Sequence, residues 1–122
     1  MRVRGWMDGD DLRVRHAIGV AAGESGEQRA QSQVALRQAL APFGGDDIAA
    51  LAGFLAATPS RLAAVALDDI VGVHDQVNIP GTTAQHPNWR RKLPVAVEDL
   101  QDHEDMRRVA QAFAQGGRSF KA

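Results

Sequence analysis

The stretch RLAAVALDD, Arg61 to Asp69, decides how the fold is read. After the arginine it is a continuous apolar run, bounded by Thr58-Pro59-Ser60 on one side and by Asp68-Asp69 on the other. A short apolar run between turn signals reads as a β-strand buried on both faces, as in a parallel α/β sheet. The frequent alanines keep a helical reading open. On the strand reading, the aspartates sit at the C-terminal end, where α/β folds carry their functional loops. Adjacent residues on a strand point to opposite faces, so one site is not expected to use both carboxylates. Capping of the following turn is the expected role for one of them.

Outward from this run the pattern is helical. Upstream, Asp46 or Asp47 caps a helix over about 47–57, in which Ile48, Leu51, Ala52 and Leu55 recur at helical spacing. Pro42-Phe43-Gly44-Gly45 is a turn. Before it, Ser25 and Gln28 form a capping-box pattern that opens a helix running to about Ala41. Its apolar stripe is expected at Ala30, Val34, Ala35, Leu36, Ala39 and Leu40. The chain begins with MRVRGW, then a polar turn at Asp8-Gly9-Asp10 and a short helix over Asp11–Ile18, ended by Gly19. Downstream, Val95 to Leu100 form a helical turn. Asp102 then caps a last helix over about 103–115 with the stripe Met106, Val109 and Phe113, and Gly116 stops it. The tail from Gly117 is expected to fray.

The totals bound the class. A chain of 122 residues fits one domain and buries roughly 65% of its unfolded surface. It is too short for a complete (β/α)8 barrel, which takes about 250 residues. Its 14 basic and 15 acidic residues argue against a dedicated nucleic-acid binder. With no cysteine, disulfides and thiolate metal sites are excluded. There is no apolar run of about 18 residues and no signal-peptide h-region, which sets a cytoplasmic, non-membrane expectation. Four Phe, two Trp and no Tyr leave a core of small aliphatic side chains and marginal stability.

Residues 74–94, HDQVNIPGTTAQHPNWRRKLP, form a long polar loop, and such loops usually carry a function. His74 with Asp75, and His86 with His103, match no zinc spacing, so no metal site is expected. Arg90-Arg91-Lys92 beside Trp89 has the chemistry to hold phosphates and stack a base, but the near-zero net charge favours a solvated patch. Trp89 and Trp6 are surrounded by Arg, Asn, Asp and Gly rather than by aliphatic residues. For them a sugar platform and ordinary packing both stay open.

This loop carries a resemblance. Asn78-Ile79-Pro80-Gly81-Thr82, then His86-Pro87-Asn88-Trp89-Arg90-Arg91, then Leu93-Pro94, resembles the C-terminal signature of the 4-α-glucanotransferases. These are the amylomaltases, or disproportionating enzymes, of glycoside hydrolase family 77. Leu67-Asp68-Asp69-Ile70-Val71-Gly72 is similar to the family's continuation after its last barrel strand. Arg4-Gly5-Trp6, followed by Asp11-Leu12, is similar to the end of its T-H-D-L-P-T-L-R-G-W-W motif. The resemblance implies a mainly α fold with one or two short strands, the C-terminal part of a (β/α)8 barrel, repacked or self-associated when isolated. The 122 residues then form a single domain or fragment. Residues 1–60 are the helical segment after barrel strand 7, 61–73 the last strand and turn, 74–94 the sugar-side loop, and 95–122 the C-terminal helices.

The resemblance also assigns roles. Asn78 is expected to hydrogen-bond the bound sugar, with Pro80 and Gly81 shaping the turn that presents it and a sugar contact from Trp89. Asn88 and Arg90 are expected to brace the loop. On this alignment Met1 falls on the proline of H-D-L-P, so none of the three family catalytic carboxylates is expected in the chain. Retaining transfer needs a nucleophile and an acid about 5–5.5 Å apart. The family transfers α-1,4-glucans, and the chain alone is expected to be silent. No cofactor or metal is expected, and the expected partner is an α-1,4-glucan or maltooligosaccharide, bound weakly or not at all, besides self-association. The alternative is a small non-enzymatic carbohydrate-binding or protein-interaction module.

Overall fold

The structure, a computed structural model, describes residues 2–118. Helices α1 (Val3–Asp8) and α2 (Asp10–Ala17) meet in an elbow at Gly9, whose φ of 75° lies in the left-handed region that suits glycine. Helix α3 (Gly26–Leu40) starts on the expected capping box. The Gln28 amide donates to Ser25 Oγ at 3.2 Å, and the Ser25 amide to Gln28 Oε1 at 2.8 Å. It ends in a 3-10 turn at Ala41–Phe43. Helix α4 (Ile48–Ala57) opens on Asp47, whose carboxylate accepts from the Ala50 amide at 2.9 Å. Helix α5 (Leu67–Ile70) is a single turn. After the long loop, a 3-10 turn (Val97–Asp102) leads into α6 (Glu104–Gln115).

The core lies between α4 and α6, with α5 against them. Ile48, Ala52, Ile70 and Val109 are buried together, and Leu51, Val65, Met106 and Phe113 pack around them. Small residues let the two helices touch: a Cβ on Gly116 would lie 2.4 Å from the Ala56 Cβ. Arg118 then folds back over the end of α4. It donates from Nε to the Ala56 carbonyl at 3.0 Å and from Nη2 to those of Thr58 (2.9 Å) and Ser60 (2.6 Å). These bonds satisfy carbonyls that a helix end leaves open. The expectation of a frayed tail from Gly117 thus fails at Arg118, and for residues 119–122 it lies outside the described residues.

Three further expectations are corrected. The mainly α class holds, but residues 61–66 form no strand, and no barrel strand is present among the described residues. A strand exists by pairing, and no neighbouring strand is there to pair with. The segment instead alternates, with Ala63, Val65 and Leu67 half-buried and Leu62, Ala64 and Ala66 exposed. Its aspartates fall in the first turn of α5, and both face Arg2, with Asp68 at 2.9 Å and Asp69 at 3.7 Å.

The second correction is α1, which local sequence does not announce. Its first amide, on Val3, donates to Asp69 Oδ1 at 2.7 Å, a cap supplied from 66 residues away. The third is the buried face of α3. Val34 is 52% exposed, and the inward line is Arg29, Gln33, Leu36 and Leu40. The carbonyl end of α1 requires it: Arg29 Nη1 donates to the Trp6 carbonyl at 2.9 Å, and Gln33 Nε2 to that of Met7 at 2.8 Å. Apolar side chains there would leave these carbonyls unpaired.

Two carboxyls couple this packing to pH. Burial pushes Asp11 up, but hydrogen bonding to Arg29, the Arg29 charge and the Leu12 amide outweigh it and hold the group below the ordinary carboxyl range. At Asp47 burial is likewise outweighed, by the Ala50 amide and then by Arg108. The folded state therefore binds these protons less readily than the unfolded chain. The stability they confer is complete above an unfolded carboxyl pKa of about 4 and is lost as pH falls below it. Thermal melts are expected to hold steady from about pH 7 to 5 and to drop below about 4. A melting temperature that is flat down to pH 3 would contradict this.

Candidate functional site

The loop closes on itself through hydrogen bonds that its own sequence provides. Ile79-Pro80-Gly81-Thr82 is a tight turn with proline at its second position and glycine, at φ 83°, at its third. The Thr82 amide donates to the Ile79 carbonyl at 3.2 Å, and Thr82 Oγ1 donates to the same oxygen at 2.7 Å. Asn88 joins this turn to the returning arm. Its Oδ1 accepts from the Ile79 amide at 3.0 Å, and its Nδ2 donates to the Thr82 carbonyl (3.1 Å) and hydroxyl (2.8 Å). The Trp89 amide donates to the Val77 carbonyl at 2.9 Å. Beneath these bonds, Ile79 (1% exposed) and His86 are buried, and His86 donates its Nε2–H to the Gln76 carbonyl at 2.7 Å. The segment 76–89 is thus an Ω-type loop with a small interior of its own.

Helices α1 and α2 hold the loop in place. Gly5 in α1 lies against the His74 backbone, and a Cβ there would sit 2.2 Å from the His74 carbonyl oxygen. His74 Nδ1 faces Asp8 Oδ2 at 3.3 Å and Asp10 Oδ2 at 3.0 Å, one from each side of the Gly9 elbow. Arg13 pairs with Asp10 as well. Arg15 of α2 donates to Gln76 Oε1 at 3.2 Å, and Arg91 pairs with Asp75 at 2.7 Å across the base of the loop. Beside that base lies an open groove of about 480 Å³, lined by Asp68, Gly72, His74, Asp75, Arg91 and Lys92 among others.

The residues singled out from sequence take different places. Asn88 is inside the hydrogen-bond network described above, and Arg90 is exposed with no ion pair among the described residues. Asn78 is half-buried, and among the described residues its amide takes no part in the loop's hydrogen bonds. Pro80 and Gly81 are exposed at the turn. Trp89 is 76% exposed and holds φ at 58°. A bulky residue in the left-handed region is a strained conformation that the surrounding bonds must impose. None of Asn78, Pro80, Gly81 or Trp89 lines the groove.

Trp6 behaves otherwise. Its ring lies under the Arg29 guanidinium, 4.8 Å from the centroid, so packing accounts for it. Of the histidine pairs, His86 is committed to Gln76. Among the described residues, the group whose donor atoms come together in the manner of metal ligands is Asp8, Asp10 and His74. Gly5, Asp69 and the Arg29–Gln33 line position the loop's support, and sequence reasoning missed these roles, though it singled out Asp68 or Asp69 as a cap of the following turn, because each acts on a residue distant in the chain.

The loop is thus polar, braced by its own hydrogen bonds, held on a helical support, and it exposes the Trp89 indole. Comparison with known proteins then gives the family. The 4-alpha-glucanotransferase profile of glycoside hydrolase family 77 matches residues 1–98, which run from α1 through the whole loop. The 4-alpha-glucanotransferases of Mycobacterium bovis and of two Mycobacterium tuberculosis strains are each 36% identical over 115 aligned residues, covering 79% of this chain. The chain belongs to the 4-alpha-glucanotransferase family. It spans only 16% of the length of those relatives. No solved structure gives a significant match.

Proposed function

We propose that the chain is the sugar-side C-terminal segment of an α-1,4-glucan 4-glucanotransferase, and that on its own it holds maltooligosaccharide without transferring it. The observation that carries this reading is the braced loop lying wholly inside the family match. A loop tied by its own hydrogen bonds presents its side chains at little ordering cost on binding. Trp89 offers the flat apolar face that stacks on a pyranose, and the Asn78 amide offers both a donor and an acceptor for sugar hydroxyls.

The state of several carboxylates supports the proposed silence in transfer. Asp68 and Asp69 face Arg2, while Asp8 and Asp10 face His74. Asp11 and Asp47 are shifted downward, opposite to the shift a general acid needs. The chain incubated with maltotriose is expected to give no disproportionation products. Calorimetric titration with maltoheptaose is expected to show weak binding, about millimolar. Asn78→Ala should abolish that binding without changing the melting temperature. Turnover by the chain alone, or binding indifferent to Asn78→Ala, would overturn the proposal.

A further inference from the structure

We propose that Asp8, Asp10 and His74 bind one divalent transition-metal ion, of the class of Zn2+ or Mn2+, where α1, α2 and the loop meet. The inference is independent of the sugar reading. It starts from the Gly9 elbow, whose left-handed turn at φ 75° brings the aspartates on either side of it to one nitrogen. His74 Nδ1 lies 3.3 Å from Asp8 Oδ2 and 3.0 Å from Asp10 Oδ2, and the three donor atoms all lie within 4.8 Å of one another.

A single ring nitrogen offers at most one hydrogen, so it cannot serve two carboxylates equally well. Two carboxylate oxygens and an imidazole nitrogen turned to a common point suit a cation placed at that point. Ligand atoms about 2.1 Å from one ion, at octahedral or tetrahedral angles to each other, stand roughly 3.0–3.4 Å apart. Both separations from His74 Nδ1 fall in that range.

The surroundings add to this. The His74 backbone is seated against Gly5 of α1, which fixes the ring's anchor relative to the elbow. Asp8 and His74 also line a cavity of about 290 Å³, which gives room for the water ligands of an open site. The cavity's other carboxylates each face an arginine: Asp46 faces Arg37, Asp47 faces Arg108 and Asp69 faces Arg2. Asp8 faces only His74 among the described residues. The donor set selects the ion, because imidazole nitrogen favours Zn2+ or Mn2+ over Mg2+ and Ca2+, which prefer oxygen alone. One group competes: the exposed Arg13 pairs with Asp10 and must release it as the ion enters.

That competitor sharpens the test. Calorimetric titration of the 122-residue chain with Zn2+ should show saturable binding of one ion per chain, and Mg2+ should bind far more weakly. Zn2+ should also raise the melting temperature, since the ion binds the folded arrangement of three separate elements. Asp8→Asn and His74→Gln should each weaken binding several-fold, and His16→Gln should leave it unchanged. Arg13→Gln should strengthen it, because Asp10 loses its rival cation. In the unaltered chain, Mn2+ should broaden the amide resonances of residues 8–10 and 73–75 before any others, a reading that needs no variant to fold. A wild-type chain that binds no Zn2+ overturns the proposal. So does binding that Asp8→Asn and His74→Gln leave unchanged, binding that Arg13→Gln weakens, or Mn2+ broadening centred elsewhere.

Discussion

Arg29→Leu is expected to cost roughly 3–5 kcal/mol of stability, the range for breaking a buried ion pair by removing one partner. Arg29 is 4% exposed and joins four parts of the chain. It grips Asp11 of α2 with two parallel bonds of 2.7 and 2.9 Å, donates from Nε to Glu24 at 2.9 Å, closes the Trp6 carbonyl of α1 and covers the Trp6 ring. The leucine replaces the volume but leaves the buried Asp11 carboxylate without a counter-ion and the carbonyl without its donor. Domains of this size hold only about 5–15 kcal/mol in total, and this core is built largely of alanine, valine and isoleucine. Urea denaturation is therefore expected to show a largely unfolded variant, or a midpoint shifted by most of the wild-type value. Arg29→Lys should recover little, since an ammonium cannot make the bidentate fork. Arg29→Leu combined with Asp11→Leu should recover more than Arg29→Lys, because no orphan charge remains. A loss under about 1 kcal/mol for Arg29→Leu would show the pair to be worth no more than a surface one.

Gly5→Ala is expected to destabilise the fold and to loosen the loop, although alanine is the better helix former. Glycine inside a helix costs about 1 kcal/mol relative to alanine, so without another constraint the substitution would stabilise α1. The constraint is the His74 carbonyl oxygen, 2.2 Å from where the new Cβ would lie. Backbone cannot move aside as a flexible side chain can, so α1 and the start of the loop must separate. The His74 bonds to Asp8 and Asp10 would then lengthen together. Net destabilisation of about 1–3 kcal/mol is expected, in the range for overpacking. Faster hydrogen exchange over residues 74–79 should accompany it. A more stable variant with an unchanged loop would contradict the contact.

What sequence made legible was chiefly local. The Ser25–Gln28 box and the Asp47 cap act within three residues of chain, and each is present where the spacing puts it. The α6 stripe of Met106, Val109 and Phe113 faces the core because apolar spacing at 3 and 4 fits any partner that is itself apolar. Asp102 is the exception. The N-cap position belongs to His103, and the Asp102 carboxylate pairs with Arg107 at 2.7 Å.

The rest depended on distant partners. The cap of α1 comes from Asp69, and the value of Arg29 and Gln33 as inward-facing residues depends on carbonyls at the end of a helix, 23 and 26 residues earlier. The apolar run 62–67 carries a valid strand composition, yet composition cannot supply the neighbour that makes a strand. For the loop, Asn-x-Pro-Gly-Thr and Pro-Asn-Trp were legible as a family signature. Their geometry joins the two: Asn88 bridges Ile79 and Thr82, which ties the turn to the return arm.

The proposed sugar-side role of the 74–94 loop requires its side chains to contact an α-linked glucan. Its most direct test is an amide and indole chemical-shift titration of the chain with maltoheptaose, run in parallel with a β-1,4-linked glucan of similar length. Saturable shifts are expected with maltoheptaose, confined to the loop and strongest at Asn78, Gly81 and the Trp89 indole, and none with the β-linked chain. Loop resonances that stay unmoved by maltoheptaose, or that respond equally to both sugars, would contradict it.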